Sequence, residues 1–242
     1  SSSLLVYFWT RNVYMIAKLI SYSKPSEFIT YGRHMPKDCQ DLIAFCARVS
    51  NPENQNNTQT AKRLLKYLIK HKHWSPFEMV SACVEINTTR DIARQILRHR
   101  SFSFQEFSQR YADPVEELNV AVTLECRLQD ETNRQNSIEI VDSDQKASLS
   151  LEWMKAQSEV IIAAKKAYKF AIDNGIAKEL ARKVLPEGLT ASRLYMNGTI
   201  RSWIHFIELR SSNGTQKECI DVARACAEAI SKIFPMIGDM HK

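Results

Sequence analysis

Residues 90–111 read Arg90-Asp91-Ile92-Ala93-Arg94-Gln95-Ile96-Leu97-Arg98-His99-Arg100-Ser101-Phe102-Ser103-Phe104-Gln105-Glu106-Phe107-Ser108-Gln109-Arg110-Tyr111. Ile92, Ala93, Ile96 and Leu97 recur at helical spacing, which predicts a helix from Arg90 to about Arg98 with one apolar stripe. Asp91, Gln95 and Arg98 then share another face. Arg98-His99-Arg100 falls at the C-terminal end of that helix, where the macrodipole favours cations, and dipole compensation alone would account for it. The residues that follow ask for more. From 101 to 111 the chain reads as extended, with Glu106, Ser108 and Arg110 on one face and Phe107 on the other. Guanidinium binds phosphate oxygens bidentately, and Glu or Gln pairs with ring or sugar donors, so the run suits a phosphate joined to a polar heterocycle. A nucleotide ligand follows from that chemistry. A basic nucleic-acid binder, with Arg98, Arg100 and Arg110 on phosphates and Phe102 or Phe104 stacked on bases, shares it.

Outward from this segment, Met79 to Thr88 is rich in Val, Ile, Cys and Ala and reads as a half-buried strand, and Thr88-Thr89 suits a helix N-cap. Upstream lie a strand at Ile16 to Tyr22, a helix at Asp38 to Val49, a polar loop over 51–60 and a helix at Thr60 to His71. His73-Trp74-Ser75-Pro76-Phe77 breaks the last of these. Downstream, Asn119 to Leu128 reads as a strand and 129–146 as a polar surface loop with some order. A long helix from Leu151 to Ala171 closes at Asn174-Gly175, where glycine supplies the left-handed stop. A short helix at Ile176 to Leu185, an extended Leu194 to Thr199 and helices at 200–210 and about 215–234 complete the chain. No repeat or Gly/Ser linker appears, so one α+β domain is the economical reading.

The bulk properties bound the function. At 242 residues and 44% hydrophobic content the chain can bury a real core. A net charge of +6 favours an anionic partner without choosing among nucleotide, nucleic acid and membrane surface. The six cysteines, Cys39, Cys46, Cys83, Cys126, Cys219 and Cys226, form no CxxC pair and have no histidines at zinc spacing, so neither a disulfide framework nor a metal site is expected. Cys39/Cys46 and Cys219/Cys226, each seven apart, read as buried helix faces. No apolar run approaches the ~18–20 residues of a membrane span, so a soluble, cytoplasmic protein is expected. The apolar Leu4 to Trp9 lacks a basic leader and a cleavage site, which argues against a signal peptide. Residues 1–14 read as an N-terminal extension, with Met15 a candidate original start and 15–242 the domain.

Arg98-His99-Arg100, seven residues and then Ser108 resembles the RHR-x7-S signature of the flavin-dependent thymidylate synthases, the ThyX family. The similarity extends to His73-Trp74-Ser75-Pro76-Phe77-Glu78, to Glu179-Leu180-Ala181-Arg182 with Leu185-Pro186, and to Ile200 through Arg210. The resemblance implies an α+β domain with a central, mostly antiparallel sheet flanked by helices, assembled as a homotetramer whose active sites lie between subunits. It implies conversion of dUMP to dTMP with 5,10-methylenetetrahydrofolate as donor, FAD as redox cofactor and NADPH as its reductant, with no nucleic acid or membrane partner. It also implies site residues. Ser75, Arg98, His99, Arg100, Glu106, Arg201 and His205 would contact FAD. Gln95, Arg98, Glu106, Ser108, Gln109, Arg110 and Arg182 would contact dUMP, with Arg210 set against the uracil ring as the catalytic cation.

Chemistry supports those roles. Methylation at C5 needs electron density on that carbon, and a cation near the N3/carbonyl edge stabilises the developing charge. Guanidinium keeps its charge at any working pH. Ser108 lacks a neighbouring base among Phe107, Gln109 and Arg110, so it reads as a ligand to dUMP and not as a nucleophile. Gln105 and Gln109 stand where relatives commonly have Asn and a small residue, and residues 211–215 lack a histidine that some members carry.

Overall fold

Two nine-residue strands form the centre of the sheet because each alternates fully buried residues with half-buried or exposed ones along its whole length. In β2 (Ser81–Thr89) the inward positions are Ala82, Val84, Ile86 and Thr88, and in β6 (Ala191–Thr199) they are Ser192, Leu194, Met196 and Gly198. They pair antiparallel from Ser81↔Thr199 to Thr89↔Ala191. The computed structural model describes residues 16–27, 29, 36–118, 120–121, 123 and 125–239. Among these, in chain order, the elements are β1 (Ala17–Tyr22), α1 (Cys39–Ala47), α2 (Ala61–Lys70), β2, α3 (Arg90–Ile96), β3 (Ser103–Glu106), α4 (Pro114–Glu117), β4 (Arg127–Gln129), β5 (Ser137–Glu139), α5 (Ser143–Asp173), α6 (Lys178–Ala181), β6, α7 (Ile200–Arg210), α8 (Lys217–Ser231) and α9 (Met236–Asp239). Short 3-10 turns lie at Pro52–Asn54, Ser75–Glu78, Arg182–Val184 and Glu187–Leu189.

The main sheet runs β1-β2-β6-β3, and all three of its pairings are antiparallel. Its inner face packs against α3, α7 and α8 in one apolar core that includes Phe77, Ile92, Ile96, Trp203, Phe206, Cys226 and Phe234. Trp203 satisfies its buried indole N–H by donating to the Ala82 carbonyl at 3.0 Å, tying α7 to β2. This is the expected mixed fold with a central antiparallel sheet. Cys39, Cys219 and Cys226 are buried and Cys46 half-buried, all as free thiols. Among the described residues no helix is long and apolar enough to cross a membrane, and no three His, Cys, Asp or Glu side chains gather as a metal site.

Four expectations need correction. Of the strand expected over Asn119 to Leu128, the described residues show a bridge from Val120 to Thr190 and the three residues of β4. Strand-forming residues without a neighbouring strand have nothing to pair with. Asn119, Val122 and Leu124 lie outside the described residues, as do residues 1–15. The polar stretch expected as a loop instead holds a hairpin, β4 against β5, and the first turns of α5. Asp130 organises that hairpin's turn, accepting from the Thr132 amide and hydroxyl, the Asn133 amide and the Asn136 side chain, which hold its carboxyl down to about 2. Helix α5 starts at Ser143 because Asp142 caps it, accepting from the Gln145 amide at 2.6 Å. Its first turns are solvated all round, so no apolar stripe marks them in the sequence. At its other end Gly175 takes φ +71, the expected left-handed stop. Residues 176–185 form only one α-helical turn and a 3-10 turn. Finally, 101–111 is extended only over β3, with consequences for the site.

Candidate functional site

Helix α3 ends where Leu97 donates to the Ala93 carbonyl and His99 to that of Ile96. The chain then turns, and Phe102 enters the core against Trp203 and Phe206, with ring centroids 4.9 and 5.9 Å away. Gly198 makes that entry possible: a Cβ there would lie 2.6 Å from Phe102 Cε1. Ser202 of α7 donates to the Ser101 carbonyl at 3.3 Å, fastening the turn to the helix. Arg98 and Arg100 are left exposed, and His99 is half-buried with its ring edge-on to Phe206.

His99 Nε2 accepts from Arg210 Nε at 2.8 Å, and a terminal guanidinium nitrogen of Arg210 donates to the Gln95 carbonyl at 2.9 Å. Burial, and then the Arg210 charge, push the imidazole down to about 4, so it is neutral near pH 7 with its proton on Nδ1. Both acceptors are uncharged, so Arg210 is oriented without being neutralised. Arg210 is half-buried in this clamp, not free in solvent as a cation at the end of a helix would be. Gln95 also donates through Nε2 to Gln216 Oε1 at 2.8 Å, a contact with no sequence signal because Gln216 lies 121 positions away.

A second group lies at the 3-10 turn before β2, where Pro76 fixes the first turn. Arg201 pairs with Glu78 at 2.6 Å, and the His205 ring stands edge-on to Trp74 at 4.6 Å. Ser75 is exposed beside them. Helix α7 therefore carries Arg201 and His205 one turn apart, and Arg210 at its last residue.

The third group surrounds Glu106. Its carboxylate accepts from Ser192 Oγ at 2.7 Å and lies 3.9 Å from Arg90 and 3.6 Å from Arg94. Glu106, Ser108 and Arg110 do not share one extended face. The ladder ends with Phe107 donating to the Arg193 carbonyl, and the Ser108 carbonyl then accepts from the Tyr111 and Ala112 amides in a helical turn. Ser108 Oγ takes the Arg110 amide at 3.4 Å, the local side-chain competition by which serine ends extended structure. That turn docks on α6: Arg110 pairs with Glu179 at 3.3 Å and Lys178 Nζ donates to the Tyr111 carbonyl at 3.2 Å. Gln109 is 4% exposed, and its Nε2 has no partner among the described residues. Arg182, half-buried just beyond α6, has no carboxylate within ion-pair distance there either, like Arg98 and Arg100. Sequence reasoning passes over Arg90, Arg94 and Ser192, although a buried polar residue at an inward strand position is a readable signal.

Comparison with known proteins adds the family. The family model described as Thymidylate synthase complementing protein (Thy1) matches residues 33–236. A probable flavin-dependent thymidylate synthase of Paramecium bursaria Chlorella virus 1 is 50% identical over 224 residues, covering 93% of this chain and 97% of that one. The flavin-dependent thymidylate synthase of Synechocystis sp. is 45% identical over 225 residues, with 93% and 98% covered. Among solved structures, a UMP/dUMP methylase, PolB from Streptomyces cacaoi, bound with 5-Br dUMP, superposes with a TM-score of 0.72 at 25% identity over 92% of each chain. An arginine held by neutral acceptors, beside guanidiniums that have no carboxylate partner among the described residues, thus sits on a chain that belongs to the flavin-dependent thymidylate synthase family.

Proposed function

We propose that the site around Arg210 methylates dUMP to dTMP, with 5,10-methylenetetrahydrofolate as donor and NADPH as the source of reducing equivalents. One observation carries this reading: the Arg210 guanidinium is aimed by His99 and the Gln95 carbonyl and has no carboxylate partner among the described residues. Its charge is available to a uracil ring that gains negative charge as C5 is alkylated. FAD, when bound, supplies the redox chemistry.

Arg98 and Arg100 fit a flavin dinucleotide, since they are exposed, adjacent to the clamp and without a carboxylate partner among the described residues, as a diphosphate requires. We assign Ser75, Arg201 and His205 to the same cofactor, together with His99 and Glu106. For dUMP we assign Gln95, Arg98, Glu106, Ser108, Gln109, Arg110 and Arg182. The buried Gln109 amide lacks an acceptor that a ligand oxygen would supply, and Ser108 and Arg110 would orient the phosphate. No hydrogen bond or ion pair among the described residues joins the Ser75/Arg201/His205 group to the Ser108/Arg110/Arg182 group, which suits sites completed by a neighbouring subunit of a homotetramer. The test is direct. Purified protein should show flavin absorbance and oxidise NADPH with dTMP formation only when dUMP and methylenetetrahydrofolate are both present; protein that neither binds flavin nor forms dTMP refutes the reading.

A further inference from the structure

Arg127 of the β4/β5 hairpin uses all three guanidinium nitrogens: Nε donates to Ser137 Oγ at 2.9 Å, one terminal nitrogen to Glu125 at 2.8 Å and the other to Glu218 at 2.6 Å. Its side chain is 13% exposed, so it is held far more firmly than a surface ion pair. Glu218 lies in the first turn of α8. Burial alone would raise its carboxyl, but the hydrogen bond from Arg127, the backbone amide at the start of α8 and the Arg127 charge outweigh that and lower it, while its second oxygen, Oε2, is buried with no hydrogen-bond partner among the described residues. Gln216, the residue that precedes α8, accepts from Gln95, and the Gln95 carbonyl accepts from Arg210.

We propose that Arg127 is a positioning residue for Arg210: it holds Glu218 in the first turn of α8, the backbone of that turn carries Gln216 at the helix start, and Gln216 holds Gln95. The inference rests on the reading of Arg210 as the cation set against the reacting base. The connection between α7 and α8 explains why a tether is needed. Arg210 ends α7, and residues 211–216 lead to α8 through Gly214 at φ +86; the Ser212 and Thr215 hydroxyls bond back to the Leu209 carbonyl, so the side-chain bonds of residues 211–215 tie the end of α7 and not the start of α8. Gln95 is pulled from both sides. Its side chain is held by the start of α8 and its carbonyl holds the guanidinium, so the place where α8 begins helps set where Arg210 points. The hairpin fixes that start. Lys217, bonded to Glu125 and Glu139, and Lys146, bonded to Glu139, extend the network outward onto more exposed surface.

The experiment uses the full chain with FAD, comparing Arg127→Gln, Gln216→Ala and the double variant, with Lys146→Ala as control. Each single change should lower kcat for dTMP formation about tenfold, since small misplacements of a positioned group are costly in rate. The KM for dUMP should move much less, and the double variant should be no slower than the slower single. Hydrogen–deuterium exchange of amides 95–100 should accelerate in both single variants and stay unchanged in Lys146→Ala. Wild-type kcat in Arg127→Gln, losses that multiply in the double variant, or unchanged exchange over 95–100 would overturn the proposal. Should Arg127→Gln fail to fold, Gln216→Ala and Glu218→Gln carry the same test, because neither empties the core. A wild-type protein that forms no dTMP would remove the functional reading alone, and the exchange data would still decide the coupling.

Discussion

Replacing Gly198 with alanine tests how the turn after α3 is held. The new methyl would stand 2.6 Å from Phe102 Cε1 and 3.2 Å from its Cγ, against the roughly 3.5–4 Å of an ordinary carbon contact. Phe102 would have to retreat by about 1 Å. It cannot do so freely, because Trp203 and Phe206 stand edge-on behind it and Trp203 is fully buried. Overpacking of this kind costs about 1–3 kcal/mol. For a chain of this size each kcal/mol moves the midpoint by roughly 2–4 °C, so a fall of about 2–12 °C is expected by scanning fluorimetry. Turnover should fall too, since Phe102 anchors the turn that carries Arg98, His99 and Arg100. Adding Phe102→Leu should restore part of the midpoint by giving the methyl room. Gly188→Ala is the control, because its Cβ would meet only Asp91 at an ordinary 3.8 Å. A Gly198→Ala protein with wild-type midpoint and turnover would show that the ring is not confined as described.

Three further outcomes are expected. Arg210→Ala should lose about 10²–10³ in kcat while its thermal midpoint stays near wild type, measured by dTMP formation and fluorimetry together; a large midpoint drop with full activity would sink the assignment. Ser108→Ala should keep measurable turnover with weakened dUMP binding, and complete loss of turnover with dUMP affinity retained would revive a nucleophilic serine. The third concerns pH. The His99 imidazole falls from an ordinary 6.5 to about 4 on folding, so between those values the unfolded chain binds the extra proton. Its contribution is complete above pH 6.5 and is lost as pH falls toward 4, a loss of roughly 1–2 kcal/mol once halved for the ring's remaining solvent contact. Denaturant titrations of the wild type and His99→Gln should diverge in slope over that range, and parallel pH profiles would contradict it.

Whatever repeats locally is legible in the sequence. The alternation of 81–89 and the helical stripe of 90–97 specify strand and helix on their own, because burial of one face leaves a period in the chain. The same logic fails wherever the partner is distant or absent. Asn119 to Leu128 has strand residues, but among the described ones strand pairing is confined to the Val120 bridge and β4, and α5 begins eight residues early because a side-chain cap needs no apolar stripe. At the site, Gln95, His99 and Arg210 each stand out in the sequence, yet their meeting across more than a hundred residues is a property of how the core brings the last residue of α7 to the end of α3 and the turn after it. The Ser108 turn reads as extended in sequence because a hydroxyl bonding its own backbone leaves no periodic trace.

The manner in which Arg210 is held separates orientation from neutralisation. Arg110, Arg127 and Arg201 are each paired with a glutamate, whereas Arg210 is aimed by an imidazole and a carbonyl. A carboxylate at position 99 would orient it at least as firmly, since charge-assisted hydrogen bonds are the stronger kind. It would also cancel the field: two unit charges 4 Å apart interact by about 4 kcal/mol at an effective dielectric of 20, energy then spent on each other and not on the substrate. The prediction runs against bond strength. His99→Gln, a neutral acceptor, should retain more turnover than His99→Glu, while His99→Glu should match or exceed it in thermal midpoint. Steady-state dTMP formation and fluorimetry on the two proteins decide the matter. If His99→Glu is the faster enzyme, the free charge on Arg210 is not what the clamp preserves, and its role reduces to packing α7 against the end of α3.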